Sequence, residues 1–281
     1  MSTFTNPASA AGPLLDWDGA ADSGPAVAGG KGWNLGRLAR YGLPVPDGFV
    51  LGADTYRAHM KEAGLEADAG AIEQRIGAEG ALADGVEAAL AALRERVATA
   101  PLPTHAGAAL QSALLSFGAT PLAVRSSATA EDAPDASFAG MHGTVLNVRP
   151  ELGAVADAVR SCYASLWTAH AVTYRQRHGL DGVAMAVVVM RLVAARTAGV
   201  AFTADPRTGR RDQVIVTANH GLGESVVSGA TDPDEYTMEG FIDRPPAVVS
   251  RRVGRKERRT ETVGLDEGGG TRLVDAPTAA R

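Results

Sequence analysis

The hydrophobic pattern of this 281-residue chain changes its period part-way along, and that change limits the possible folds. From residue 55 to about 118, apolar residues recur every three or four positions, which is typical of amphipathic helices. The later part is rich in short β-type runs, at 183–193, 198–204 and 213–218. Because strands and helices do not alternate regularly, the pattern disfavours a doubly wound sheet or a TIM barrel. We expect an α/β protein of the α+β kind, with a helical front and a sheet-rich back.

Composition and glycine or proline punctuation divide the chain into four parts. We expect a polar leader over 1–24, a mainly helical lobe over 25–118, a sheet-rich lobe over 119–260 and a polar tail over 261–281. Within these parts, local patterns predict individual elements. They predict helices over 34–41 and 151–177, with Gly42 ending the first, and strands over 49–51, 122–125 and 144–148.

Charge and aromatic content argue against a nucleic-acid-binding protein. The net charge is −5 and aromatic residues make up 5% of the chain, so neither a basic field nor a base-stacking surface is expected. Cys162 is the single cysteine, so the chain cannot form an internal disulfide. The N-terminus lacks the pattern of a secretory signal, and the longest apolar run, 183–189, is too short to span a bilayer. We therefore expect a cytoplasmic protein with no membrane partner.

A glycine-rich turn surrounds Lys31, at residues 29–32 with the sequence Gly-Gly-Lys-Gly. Glycines allow a backbone to approach an anion closely, and the lysine supplies a positive charge. The spacing differs from that of a Walker A loop. A flexible turn with a solvated lysine explains the residues equally well.

A second basic residue, Arg125, ends a predicted strand and is followed by Ser126 and Ser127. Its guanidinium group suits bidentate binding of a phosphate, and the hydroxyl groups suit a phosphate oxygen. Glu131 and Asp132 could orient the arginine. The alternative is a strand end held by a salt bridge.

The loop over 138–144 combines two glycines, Gly140 and Gly143, with His142 and the hydroxyl of Thr144. Such a loop before a strand could form a lid over phosphates. A plain hairpin turn explains it as well.

Other polar residues do not form a recognisable site. The six histidines have no metal-binding spacing. Ser225 lacks the second glycine of a hydrolase nucleophile elbow. The basic run over 251–259 favours a solvated edge strand protected by its charge, over a nucleic-acid or acidic-partner surface.

Five segments, in this order, resemble one family. They are GGKGWNLGRLARYGLPVPDGFVL (29–51), LAVRSSATAEDAPDASFAGMHGTVLNV (122–148), YASLWTAHAVTYR (163–175), AGVAFTADPRTG (198–209) and ANHGLGESVVSGATDPDEY (218–236). Together they resemble the N-terminal ATP-binding domain of the phosphoenolpyruvate synthase, pyruvate phosphate dikinase and rifampicin phosphotransferase family. Several long motifs in the same order are more specific than any lone glycine loop.

The resemblance implies an ATP-grasp-like fold, with two lobes, a nucleotide cleft between them, and the sheet-rich lobe completing the site. It implies that Lys31 and Arg125 hold the triphosphate and act in catalysis, and that Gly140 and Thr144 cover the phosphates. The hinge after strand 183–189, with Met190 and Leu192, is expected to bind adenine.

The implied enzyme is an ATP-dependent phosphotransferase that uses Mg²⁺. The β-phosphoryl group of ATP passes to a histidine on a swivelling domain, leaving AMP and phosphate, and then to an acceptor. Pyruvate, rifampicin or another hydroxyl compound would fit as the acceptor.

The chain departs from the family pattern in two respects. Met190 stands at the hinge, where the family usually has glutamine, so the donor and acceptor of an amide are missing. The chain also ends before the family's metal-binding residues and phosphohistidine domain, so we expect no metal ligands here. We expect a fragment, a subunit whose phosphohistidine domain acts in trans, or a degenerate, non-catalytic ATP-grasp module with a binding or regulatory role.

Overall fold

The structure is a computed structural model, and it describes residues 12–80, 83–130, 143–240 and 245–276. It comprises two compact units, one over 1–192 and one over 193–281.

The first unit contains most of the helices and one sheet. Its helices are α1 (Trp17–Ser23), α2 (Pro25–Arg40), α3 (Ala53–Glu62), α4 (Glu66–Glu79), α5 (Val86–Thr99), α6 (Thr104–Leu114), α7 (Leu152–Ser165) and α8 (Ala169–Arg177). Its strands are β1 (Leu14–Leu15), β2 (Gly48–Leu51), β3 (Leu122–Ala128), β4 (Thr144–Val148) and β5 (Met185–Arg191). A short 3₁₀ turn, Leu115–Phe117, follows α6.

The second unit is built mainly from antiparallel strands. Its elements are β6 (Thr197–Phe202), β7 (Gln213–His220), α9 (Glu224–Val227), β8 (Asp234–Glu239), β9 (Ala247–Arg252), β10 (Arg258–Thr262), a 3₁₀ turn (Leu265–Glu267) and β11 (Thr271–Asp275). Strands β6 to β9 form one sheet in chain order, and β10 and β11 form a separate hairpin. As predicted, the basic run starts on an exposed edge strand, β9. Lys256 differs, because it is buried and bonds to Asp234.

The mixed α/β class is confirmed, but the chain divides at a different point from the predicted boundary at residue 119. The reason is the sheet of the first unit, which has the strand order β1-β2-β5-β3-β4 with antiparallel pairing throughout. Strand β2 comes from the helical front and pairs directly with β5. Residues on both sides of position 119 therefore share one sheet and one core.

The core lies around β5, the central strand of this sheet. Residues 185–189 are fully buried, which agrees with the predicted apolar run. A strand with neighbours on both edges and both faces covered carries a continuous apolar sequence. The helices supply further buried residues at helical spacing, among them Leu90, Leu93, Val97, Val155 and Val159.

Several predicted elements are confirmed and others change. The helix over 34–41 is the end of α2, and Gly42 follows its cap with a φ of 75°. The helix predicted over 151–177 is instead two helices, because Thr168 caps α8 by accepting a hydrogen bond from the N–H of Ala171. The predicted polar leader contains β1 and α1, and the predicted polar tail contains β11.

Helices α1 and α2 approach closely at Gly36. A Cβ atom built there would lie 2.4 Å from the backbone oxygen of Trp17 and 2.7 Å from the backbone nitrogen of Ala21. Such distances are too short for non-bonded contact. Gly36 is therefore required by the helix–helix contact, although it lies in a helix, where glycine is otherwise unfavourable.

We expect Gly36→Ala to lower the free energy of unfolding by about 1–3 kcal/mol, because the new methyl group overpacks against the backbone of α1. Gly107→Ala in α6 is the matched control, since a Cβ atom there meets nothing within 4 Å. The free energy of unfolding of the control variant should rise by about 0.4–1 kcal/mol. Urea unfolding of both variants measures the difference, and equal shifts would contradict the close approach.

Candidate functional site

Lys31 lies just after a break inside α2. Gly29 has a φ of 68° and a ψ of 169°, which are not helical angles, so the helix stops there and resumes at residue 30. The second segment therefore begins with Gly30, Lys31 and Gly32. The start of a helix carries a partial positive charge, which favours a negatively charged ligand.

Ser127 of β3 holds this break in place. Its hydroxyl group donates a hydrogen bond to the backbone oxygen of Ala28, at 2.9 Å. The hydroxyl oxygen of Ser127 also accepts a hydrogen bond from the backbone N–H of Gly32, at 2.9 Å. A Cβ atom at Gly29 would lie 2.0 Å from the backbone oxygen of Ser127. The segment that carries Lys31 is therefore pressed against β3.

Arg125 lies on the same face of the sheet as Ser127. The pairing of β3 with β5 is unbroken from Leu122 to Ala128, and residues two apart on a strand share a face. Arg125 is opposite Val188, which is opposite Val50 on β2. Because a Cβ atom at Gly32 would lie 3.0 Å from Cγ2 of Val50, α2 covers this face. The structure thus brings the Lys31 segment and Arg125 to one face of one sheet.

Thr144 is the residue of β4 that is opposite Arg125. It is exposed, and the neighbouring Gly143 accepts a hydrogen bond from the N–H of Ser126. The predicted phosphate-covering residue Gly140, and His142 with it, lie outside the described residues. Thr144 is therefore next to Arg125 on the neighbouring strand.

Cys162 of α7 links Lys31 to the same region. Its thiol donates to the backbone oxygen of Gly143, at 3.6 Å. Burial raises the pKa of Cys162 to about 12, and the positive charge of Lys31 opposes that rise. The positive charge of Lys31 therefore acts on Cys162, whose thiol contacts the start of β4.

Of the predicted hinge residues, Met190 belongs to the same sheet, and Leu192 follows the end of β5. Met190 is opposite Gly48 and Ala123, and it is 7% exposed. It lies two residues from Val188, so its side chain is on the same face as Arg125. The N–H of Leu192 already donates to the oxygen of Pro121. Met190 is thus packed within the sheet, and the N–H group of Leu192 is already hydrogen-bonded within the protein.

The serines that follow Arg125 do not face solvent. Both are fully buried. The hydroxyl of Ser127 binds backbone atoms of α2, and that of Ser126 has no partner within the described structure. The sequence pattern of an arginine followed by hydroxyl groups suits a phosphate oxygen, but it assigns no role to either serine. Their burial makes Ser127 a structural contact, which local sequence could not reveal.

Metal-ligating side chains are not clustered in the described residues. Within them, no group of three or more His, Cys, Asp or Glu side chains could hold a metal ion. In the same ranges, no helix is both long and apolar enough to cross a membrane.

Comparison with known protein families identifies the chain. The family described as pyruvate phosphate dikinase, AMP/ATP-binding domain, matches residues 25–281. The chain belongs to this family. The predicted resemblance is therefore confirmed.

Individual relatives agree with this membership. The chain is 43% identical to a rifampicin phosphotransferase of a Streptomyces species, over 92% of this chain and 29% of that protein. It is 38% identical to a probable phosphoenolpyruvate synthase of Methanocaldococcus jannaschii, over 89% and 21%. It is 36% identical to the phosphoenolpyruvate synthase of Pyrococcus furiosus, over 84% and 34%. The chain therefore spans about a fifth to a third of the length of these relatives.

We expect Gly29→Ala to destabilise the protein by about 2 kcal/mol or more, because it combines a strained φ with a collision against Ser127. Gly24→Ala is the matched control. Gly24 has nearly the same backbone angles, φ 75° and ψ 175°, but a Cβ atom there meets nothing within 4 Å. Thermal unfolding of the two variants separates the cost of the backbone strain, which both share, from the cost of the collision with Ser127. Equal losses of stability would rule out the collision.

Proposed function

We propose that this chain is the ATP-binding part of a phosphotransferase. The enzyme transfers the β-phosphoryl group of ATP to a histidine on another domain, in cis or in trans, and then to an acceptor, giving AMP and phosphate. The acceptor is pyruvate, as the name phosphoenolpyruvate synthase suggests, or a hydroxyl group of a rifampicin-like compound. Family membership supports ATP as the ligand.

One observation carries this proposal: the Ser127 contact brings the Lys31 segment onto the face of β3 that holds Arg125. A triphosphate carries several negative charges close together, and phosphoryl transfer depends on positioning and on offsetting those charges. An ammonium group supplies a mobile point charge, and a guanidinium group supplies a planar fork for two oxygens. Lys31 and Arg125 are therefore proposed to bind the phosphate tail.

Other residues of the same face complete the proposed site. Thr144 is opposite Arg125 and exposed, so its hydroxyl can reach a phosphate oxygen. Gly140 is proposed to cover the phosphates, together with Thr144. Met190 and Leu192 are proposed to border the adenine, with Met190 supplying apolar contact instead of an amide. Mg²⁺ accompanies the nucleotide and takes its remaining ligands from outside the described residues.

We expect Lys31→Ala and Arg125→Ala each to raise the Kd for ATP about tenfold or more, because each removes a charged hydrogen-bond donor. Isothermal titration with ATP and Mg²⁺ measures the change. The controls are Lys61→Ala and Arg177→Ala, which remove exposed residues of the same types. If all four variants bind ATP as tightly as the native chain, the proposed site is wrong.

A non-catalytic binding or regulatory module is the second candidate. It is favoured by Met190, which lacks the amide and is packed within the sheet. The N–H of Arg191 donates to the oxygen of Asp47, so it is also in use. Such a chain would keep the fold without productive nucleotide binding.

Thermal unfolding in the presence of ligand separates the two candidates. A ligand at one hundred times its Kd adds about 2.7 kcal/mol to the stability of the form that binds it. We expect Tm to rise by several degrees across millimolar ATP with Mg²⁺. An unchanged Tm with both ATP and ADP would support the non-catalytic module.

A further inference from the structure

Ser127 connects the two basic residues of the proposed ATP site without facing solvent. Its side chain is 0% exposed, and its hydroxyl group is used twice, as a donor to Ala28 and as an acceptor from Gly32. Both partners are backbone groups of α2. A buried hydroxyl used in this way determines where the opposing backbone lies, because leaving either backbone group unpaired is unfavourable.

The two hydrogen bonds lie on either side of the three-residue segment that contains Lys31. Ala28 and Gly32 stand on either side of residues 29–31, so the hydroxyl fixes both ends of this segment. Gly29 provides the tight approach to β3, with a φ of 68°. The starting point of the Lys31 side chain is therefore set by Ser127 and does not depend on the helix alone.

The backbone of Arg125 is also held at a fixed distance from Ser127. It lies two residues from Ser127 on β3, which has β5 on one edge and β4 on the other. A strand paired on both edges is held firmly by its hydrogen bonds. Ser127 thus determines the spacing between the backbones that carry the ammonium and guanidinium groups. Charged groups that bind one ligand together lose affinity when that spacing changes.

We propose that Ser127 is a positioning residue for the triphosphate of ATP, and that it acts through Lys31. This inference rests on the proposed function, because it needs Lys31 to bind the phosphate tail. Ser127 itself does not contact the nucleotide.

A double-mutant cycle tests the proposal with the full chain. ATP affinity is measured by titration calorimetry for the native chain, Ser127→Ala, Lys31→Ala and the double variant. We expect Ser127→Ala to weaken ATP binding about tenfold when Lys31 is present and less than about twofold when Lys31 is absent, since coupled residues are not additive. A purely structural role for Ser127 would weaken binding equally in both backgrounds, and that result would overturn the proposal.

Ser126 supplies the matched control. It is the neighbouring serine, it is equally buried, and its hydroxyl has no partner within the described structure. Ser126→Ala removes the same atom from the same strand but leaves both bonds to α2 intact. We expect its ATP affinity to stay within about twofold of the native value. If Ser126→Ala weakens binding as much as Ser127→Ala, the hydrogen bonds to α2 are not the cause and the inference is wrong.

A second substitution covers the case in which Ser127→Ala does not fold. Ser127→Cys keeps nearly the same volume and replaces a strong hydrogen-bonding group by a weak one. The same cycle with Lys31→Ala should again show a larger loss of ATP affinity when Lys31 is present, and equal losses would overturn the inference. If Lys31→Ala leaves ATP binding unchanged, the proposed function fails. If Lys31→Ala weakens binding but the serine variants do not, only the positioning role fails.

Discussion

The contact between the break in α2 and the serine of β3 is the constraint on which the site depends. Gly29 lacks a side chain, and any Cβ atom there would occupy the space of Ser127. The hydroxyl of Ser127 then satisfies two backbone groups that burial would otherwise leave unpaired. Packing and hydrogen bonding therefore support the same geometry. The result is a lysine segment held at a fixed place on the sheet.

Strand pairing within the sheet fixes where the other proposed site residues lie relative to Ser127. Arg125 and Ser127 share a strand face, and Thr144 is opposite Arg125 on the next strand. Met190 lies on the same face of the central strand. Their relative positions follow from strand register, which is strongly specified because a slip of one residue would expose a buried face. Side chains that strand register already places together need little ordering when a ligand binds, which reduces the cost of binding.

Local predictions succeeded where a single element determined the outcome. The strand over 144–148 and the end of α2 before Gly42 depend on residues close in sequence. They failed where a distant partner or a cap decided the structure. Thr168 divides the helix predicted over 151–177 by binding the N–H of Ala171. Leucine residues of the predicted leader form β1 because Leu14 and Leu15 pair with Leu51 and Val50 of β2.

The sequence by itself determined the element types, the family, and the identity of the basic residues at the proposed site. These follow from hydrophobic period, glycine placement and ordered motifs, all of which are properties of neighbouring residues. Only the tertiary structure decided that the unit boundary follows Leu192 and that Ser127 binds backbone instead of facing a ligand. The hydrogen bond from Gly32 to Ser127 joins residues 95 positions apart, and no local pattern records such a pairing. It forms because the whole sheet and α2 are buried together, which is a property of the packed chain.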